Sequence, residues 1–267
     1  MPTLDTGSDQ LHATSEGGVG TIVFDNQARM NALSMGMQQA VVRALDAMDA
    51  DADVRVVVLK GAGEKAFVSG ADISEFGEKR TSPQARAVYD ETAAAAGAAY
   101  SRFSKPLIGQ VRGWCLGGGL TTALRCDLRI AADDARFGIP AARMGLGYAL
   151  GGVEQLRDLV GPARTAEILF TGDRFDAQQA ASMGLVNRVV PAGDLDATVA
   201  ALTATIAANA PLTIAAIKAA LQELARPGDR QDRDRVAGLI EACFRSEDYR
   251  EGQKAFGEKR PPEFRGS

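Results

Sequence analysis

Apolar and polar residues alternate in short β-branched runs along the first half of the chain, each run bounded by turn residues. VGTIVFD (Val19 to Asp25) and VRVVVLKG (Val54 to Gly61) predict strands. Between them, SMGMQQAVVRALDAMDAD sets apolar residues at helical spacing behind Ser34, which predicts a helix with Ser34 as its N-cap. The alternation continues with a helix from Pro83 to Phe103, a strand in PLIGQVRG, the glycine triplet Gly117 to Gly119, and a strand in DLRIAAD. Helical segments follow at Gly152 to Leu159, Pro162 to Leu169 and Asp176 to Met183, and over most of the chain after Leu195. The pattern is α/β followed by an all-α tail, with a soft boundary near Ala207 to Pro211. No repeat of fixed period and no linker rich in Pro, Gly or Ser interrupts it.

The polar N-terminus, MPTLDTGSDQLHATSEGG, lacks the charged-then-apolar layout of a signal peptide and is expected to be disordered. His12, the chain's only histidine, falls there and is not expected to be catalytic. With 267 residues the chain can bury a sizeable core, and 46% hydrophobic with 24% charged residues is ordinary for a globular protein. A formal net charge of −4 and the absence of a basic run argue against nucleic acid as a partner, while anionic small molecules stay open. No apolar run is long enough to span a membrane. Cys115, Cys126 and Cys243 show no CxxC spacing, so neither a disulfide framework nor a metal site is expected. These features together predict a reduced cytoplasmic enzyme.

Two glycine positions carry the first chemical inference. AFVSGADI ends a loop at Gly70 and opens a helix at Ala71 or Asp72, and LGGGLTT does the same at Gly118. Each bares backbone N–H groups at a helix start, and two such donors converging on one point would stabilise an oxyanion such as a thioester enolate. Taken alone, such glycines are as readily explained by tight turns or close packing. They do not form a nucleotide loop: no GK[ST] follows, and no ribose-binding acid lies at a suitable distance.

DNQARMNAL, AFVSGADI, GWCLGGGLTTALRCDLRIA, ARFGIPAARMGLG, MGLVNRVV and SEDYREGQKAFGEKR together resemble the enoyl-CoA hydratase/isomerase (crotonase) superfamily, in order and from about Thr21 to Arg260. The resemblance implies an α/β spiral of ββα units over residues 1–206 and a C-terminal helical trimerisation region over residues 207–267. It implies an acyl-CoA substrate of the kind met in fatty-acid metabolism, with CoA as part of the substrate and not a separate cofactor. It also implies a homo-trimer or a dimer of trimers, and an oxyanion hole made by the amides of Ala71 and Gly118.

Hydratases of this family use a glutamate two residues after the glycine triplet and a second after the FG-x-P turn. Those places hold Thr121 and Ala141 here, and neither can activate water at neutral pH. MGLGYALGG places Tyr148 as an active-site tyrosine resembling that of the methylmalonyl-CoA decarboxylase branch. Loss of CO2 generates the enolate without a base, and an apolar wall of Ala141 and Leu120 would favour it. Tyr148 would orient the departing carboxylate or hand on a proton; the alternative is a packing aromatic. Thr121 would bond substrate or water, or only its own backbone.

Tyr89, Asp90 and Glu91 lie on the helix that borders the acyl pocket in this family, and a relocated acid there is one further option. Glu154 reads as a surface or packing residue, and Trp114 as packing beneath the glycine turn. For CoA, the resemblance implies Arg29 at the adenosine end, with Ser69, Asp72 and Ile73 of the SGADI loop along pantetheine. It implies Phe256 and Lys259 over the nucleotide, often from an adjacent subunit. A lysine in a charged tail is equally read as solvated. The resulting expectation is an acyl-CoA lyase, with decarboxylation placed ahead of hydration or isomerisation by unusual groups and ahead of a silent acyl-CoA binder.

Overall fold

The computed structural model describes residues 3–75 and 82–267. In chain order the elements are β1 (Thr3–Leu4), β2 (Leu11–Glu16), β3 (Val19–Phe24), α1 (Met35–Ala50), β4 (Val56–Gly61), β5 (Ala66–Val68) and α2 (Pro83–Arg102). Then come β6 (Leu107–Val111), β7 (Trp114–Leu116), α3 (Gly118–Leu124), β8 (Leu128–Ala132), β9 (Arg136–Gly138), α4 (Leu150–Thr171), β10 (Arg174–Asp176) and α5 (Ala177–Ser182). The chain closes with β11 (Arg188–Val190), α6 (Leu195–Ala207), α7 (Pro211–Leu224), α8 (Arg233–Arg245) and α9 (Glu247–Glu258).

Two sheets organise these elements, in the orders β1-β2-β3-β4-β6-β8-β11 and β10-β9-β7-β5. Each ββα turn gives one strand to each sheet: β4 and β5 precede α2, β6 and β7 precede α3, β8 and β9 precede α4. The strands shared between turns are parallel, with Val58 opposite Ile108, Ile108 opposite Leu128, and Leu116 opposite Gly138. This is the expected spiral. Strands such as VVVL of β4 read as unbroken apolar runs because both of their faces are covered.

The predicted helix after Ser34 forms, and the Ser34 hydroxyl accepts from the Met37 amide at 3.2 Å. The predicted pair Gly152 to Leu159 and Pro162 to Leu169 is a single element, α4, broken at Gly161 (φ 77°) just before Pro162. The region after Ala207 is tied to the spiral by Lys218, whose ammonium donates to Asp127 Oδ2 at 2.8 Å and to the Lys105 carbonyl at 2.6 Å.

One sequence expectation is corrected. The N-terminal segment is ordered: LHATSE forms β2 beside β3, because Leu11 and Ala13 alternate into the core. His12 points the other way, half-exposed, with Nε2 3.2 Å from Asp25 Oδ2. It stands outside the cavity described below.

Candidate active site

The site is built where β5 and β7 end side by side. After β5 the chain turns at Gly70 (φ 128°), whose carbonyl accepts from the Leu33 amide at 2.8 Å, while the Asp72 amide donates to the Leu33 carbonyl at 3.0 Å. These bonds clamp the residues on both sides of Ala71 and leave the Ala71 N–H without an acceptor among the described residues. The helix predicted to open here is only a 3-10 turn over Ile73–Glu75.

Each glycine of the triplet has its own reason. Gly117 takes a left-handed turn (φ 49°) and donates to the Gly138 carbonyl at 2.8 Å. A Cβ on Gly119 would lie 1.9 Å from the Val68 carbonyl oxygen, so only glycine lets α3 seat on β5. Gly118 is the first residue of α3, where the backbone N–H has no helical partner. A Cβ there would sit 3.4 Å from the Ala71 nitrogen, which measures how closely the two segments face each other.

Ala71 and Gly118 border a cavity of about 290 Å³, further walled by Tyr89, Thr121, Ala141 and Tyr148. None of the described residues lining it carries a carboxylate or an imidazole. Tyr148 Oη lies 2.8 Å from Thr121 Oγ1, and Thr121 Oγ1 lies 3.2 Å from the Gly117 carbonyl. The threonine has one proton, and the carbonyl can only accept it. Tyr148 is then the donor to Thr121. Burial lifts the Tyr148 pKa above its ordinary value, opposed in part by the Thr121 hydrogen bond and the Arg125 charge, so a neutral phenol faces the cavity. Gly152 makes the position possible: a Cβ there would meet the tyrosine ring and hydroxyl at 2.9–3.2 Å.

Other sequence candidates distribute unevenly. Arg29, Ser69, Asp72 and Ile73 gather at the outer rim: Arg29 Nη1 donates to Asp72 Oδ1 at 2.7 Å and also contacts the Ser74 hydroxyl, while Ser69 Oγ donates to the Arg29 carbonyl at 3.2 Å. Burial raises the Asp72 carboxyl, but bonds from Ser74 and the Arg29 charge outweigh it, leaving a carboxylate below its usual range. Ile73 is largely exposed beside it. Phe256 and Lys259 lie elsewhere, at the end of α9, exposed and not lining this cavity in the single chain. Leu120 is corrected: it is fully buried in the core and forms no part of the apolar wall, because Thr121 takes the cavity-facing position on α3. Asp90 and Glu91 face solvent, Asp90 within 3.7 Å of Arg86, so no acid is relocated from there; Tyr89 alone of that trio borders the cavity. Glu154 is exposed on α4. Trp114 packs under Arg174, whose guanidinium stands 4.7 Å from the ring centroid, and it does not reach the cavity.

Sequence reading missed the inner chamber, where Gln38, Tyr100 and Arg125 share walls with Ala71, Gly118 and Thr121. Two signals were present. Arg125 follows Thr121 by one helical turn, and Gln38 interrupts the apolar face of α1 beside Met37 and Val41.

Comparison with known proteins places this geometry in a group. Residues 14–267 match the family described as Enoyl-CoA hydratase/isomerase. The chain belongs to the enoyl-CoA hydratase/isomerase family. Among its relatives, the short-chain-enoyl-CoA hydratase of Clostridium acetobutylicum is 33% identical over 253 residues, covering 92% of this chain and 93% of that protein. The carnitinyl-CoA dehydratase of Proteus mirabilis is 35% identical over 265 residues, covering 97% and 99% respectively. Among solved structures, an enoyl-CoA hydratase/carnithine racemase from Magnetospirillum magneticum superposes with a TM-score of 0.91 at 36% identity, over 97% of each chain. The crotonase fold expected from the motifs is therefore the fold observed, and family membership implies an acyl-CoA substrate.

Proposed function

We propose that this enoyl-CoA hydratase/isomerase family member is an acyl-CoA lyase. In this reading it holds a thioester enolate between the amides of Ala71 and Gly118 and manages the α-carbon proton through the Tyr148–Thr121 pair. The observation that carries it is the facing pair of N–H groups without acceptors among the described residues, beside the Tyr148 phenol and its Thr121 partner. Donors fixed before the reaction stabilise charge as it develops on the thioester oxygen. The named relatives, hydratases and a dehydratase, support water as the group added or lost. In the hydration direction the Tyr148 hydroxyl, positioned by Thr121, would give its proton to the α-carbon, and the phenolate so formed would take one back from the water that adds to the β-carbon.

A second reading is favoured by one specific observation, that no described residue on the cavity wall carries a carboxylate. Without a carboxylate, water at the β-carbon lacks a base. Loss of CO2 from a malonyl-type thioester needs none, since the C–C bond leaves its electron pair on the α-carbon and Tyr148 need only orient the carboxylate and return a proton. Incubating the protein with a panel of enoyl-, 3-hydroxyacyl- and malonyl-type CoA thioesters, followed by mass spectrometry, separates gain or loss of water from loss of CO2. No change in any thioester would refute the lyase proposal.

The rim residues Arg29, Ser69, Asp72 and Ile73 support CoA binding alongside the SGADI loop, with Phe256 and Lys259 contributed by a neighbouring subunit. Exposed Ile217, Leu221, Ile240 and Phe244 on α7 and α8 support self-association of the C-terminal helices, as a trimer or a dimer of trimers. We place the enzyme in the cytoplasm.

A further inference from the structure

Behind Ala71 and Gly118 the site continues into a chamber of about 140 Å³ between α1, α2 and α3. Thr121 and Thr122 on its wall already give their protons to the Gly117 and Gly118 carbonyls, at 3.2 and 2.9 Å, whereas Arg125, Tyr100 and Gln38 bring donors with no acceptor among the described residues. Arg125 caps the C-terminal end of α3 and donates Nη1 to the Gly97 carbonyl at 3.2 Å, with its guanidinium carbon 5.6 Å from the Tyr100 ring centroid. A guanidinium has five N–H donors, and the other four find no acceptor among the described residues. No carboxylate among those residues pairs with it, although burial lowers its pKa only against pressure from Tyr100 and Tyr148 to keep the charge. Gly97 in the middle of α2 leaves the space it fills: a Cβ there would lie 3.0 Å from both terminal nitrogens.

Two further groups face the same chamber. Tyr100 is 6% exposed and its hydroxyl makes no hydrogen bond to a described residue. Burial holds it as a neutral phenol, able to donate. Gln38 is 5% exposed and its side-chain amide likewise makes no hydrogen bond to a described residue. Buried polar groups are ordinarily paired, and a buried cation without a counter-ion is costly. Tyr100 and Gln38 are buried and Arg125 is half-buried, and their unpaired donors around one void describe a receptor whose missing component is an acceptor with negative charge. A methyl-terminated acyl chain would strip water from all three and return nothing.

We propose that this chamber is a carboxylate receptor, selecting acyl-CoA thioesters whose short acyl chain ends in a second carboxylate. Arg125 supplies the counter-ion, and Tyr100 and Gln38 supply the remaining donors. The proposal rests on the acyl-CoA reading of the outer cavity and adds the substrate class. Thr121 stands one turn before Arg125 on α3, so a chain lying along that helix passes from the enolate position to the guanidinium.

Equilibrium binding of unreactive saturated thioesters tests this without turnover. Glutaryl-CoA and pentanoyl-CoA have equal chain length and differ in the terminal carboxylate. The wild-type protein is expected to bind glutaryl-CoA at least tenfold more tightly, Arg125→Met to lose that preference, and Arg125→Lys to keep part of it, as a point charge without the planar fork. Equal affinities in the wild type, or an unchanged preference in a folded Arg125→Met, would overturn the proposal. Should Arg125→Met fail to fold, Gln38→Leu and Gly97→Ala retain the cation while removing a donor or displacing the guanidinium. Each should reduce the preference severalfold, and no reduction in either overturns the proposal. Failure of every thioester to bind would instead overturn the acyl-CoA reading, and this proposal with it.

Discussion

Replacing Tyr148 by Phe removes one oxygen from a site whose surroundings are otherwise unchanged. The ring keeps its place over Gly152, and Thr121 Oγ1 keeps its bond to the Gly117 carbonyl at 3.2 Å. No buried group is orphaned, so the cost in stability is that of one net hydrogen bond, about 1 kcal/mol. In a chain of this size that is a melting shift of roughly 2–4 °C. The effect on rate is larger because the lost bond would act on developing charge. A hydrogen bond to a charged partner contributes about 1.5–3 kcal/mol, which corresponds to roughly 10- to 150-fold in rate. If the hydroxyl also transfers the proton to the α-carbon, the loss reaches about 10²- to 10⁴-fold. The assay is steady-state kinetics on whichever thioester the panel identifies, beside thermal melting of both proteins. We expect kcat to fall at least tenfold with KM little changed. Equal kcat in the two proteins would refute the reasoning and leave Tyr148 as a packing residue.

The remaining predictions concern the same few atoms. Gly118→Val should fold, since a Cβ meets nothing closer than 3.4 Å, yet abolish turnover by covering the Ala71 amide; full activity would refute the assignment of these two amides. Gly152→Ala should push the Tyr148 ring aside and reproduce much of the kcat loss of Tyr148→Phe; an unchanged kcat would show that the hydroxyl position does not matter. Crotonyl-CoA hydration should run about 10²-fold or more below a two-glutamate hydratase, and a comparable rate would require an acid beyond the described residues that line the cavity. The pH profile should lack an acidic limb. With its pKa raised, Tyr148 is fully protonated through neutrality, so activity should hold level from about pH 6 to 9 and fall only as the phenol ionises above 10. A limb near pH 4–5 in kcat would place a carboxylate in the reaction.

Much of this was legible in the sequence because the signals are local. The β-branched runs set β3, β4, β6 and β8 of the larger sheet, while the three-residue strands of the smaller sheet gave no such run; Ser34 set the start of α1, and Gly70 and Gly117 to Gly119 marked the turns that carry the free amides. The misreadings arise where tertiary context decides. LHATSE looked too polar for structure, but a strand needs only alternate apolar residues, and Leu11 with Ala13 suffices. Leu120 and Thr121 are neighbours in sequence and about 100° apart around α3, and which of them meets the cavity depends on how Gly119 seats the helix on β5. Gln38, Tyr100 and Arg125 come from three elements: the polar break at Gln38 and the Thr121-to-Arg125 spacing are local signals, but only the packing of α1, α2 and α3 brings the three to one chamber. The missing glutamates, by contrast, were visible at once, because Thr121 and Ala141 sit in motifs whose spacing is fixed.

The central claim is that an enolate forms between the two amides and receives its proton from one side. Running the reaction in deuterium oxide tests it for either leaving group, since both hydration and CO2 loss end with a proton placed on the α-carbon. The account predicts a product with one deuterium at that carbon in a single configuration, and loss of that stereochemical control in Tyr148→Phe. A product without α-deuterium, or one labelled equally on both faces by the wild-type protein, would contradict it.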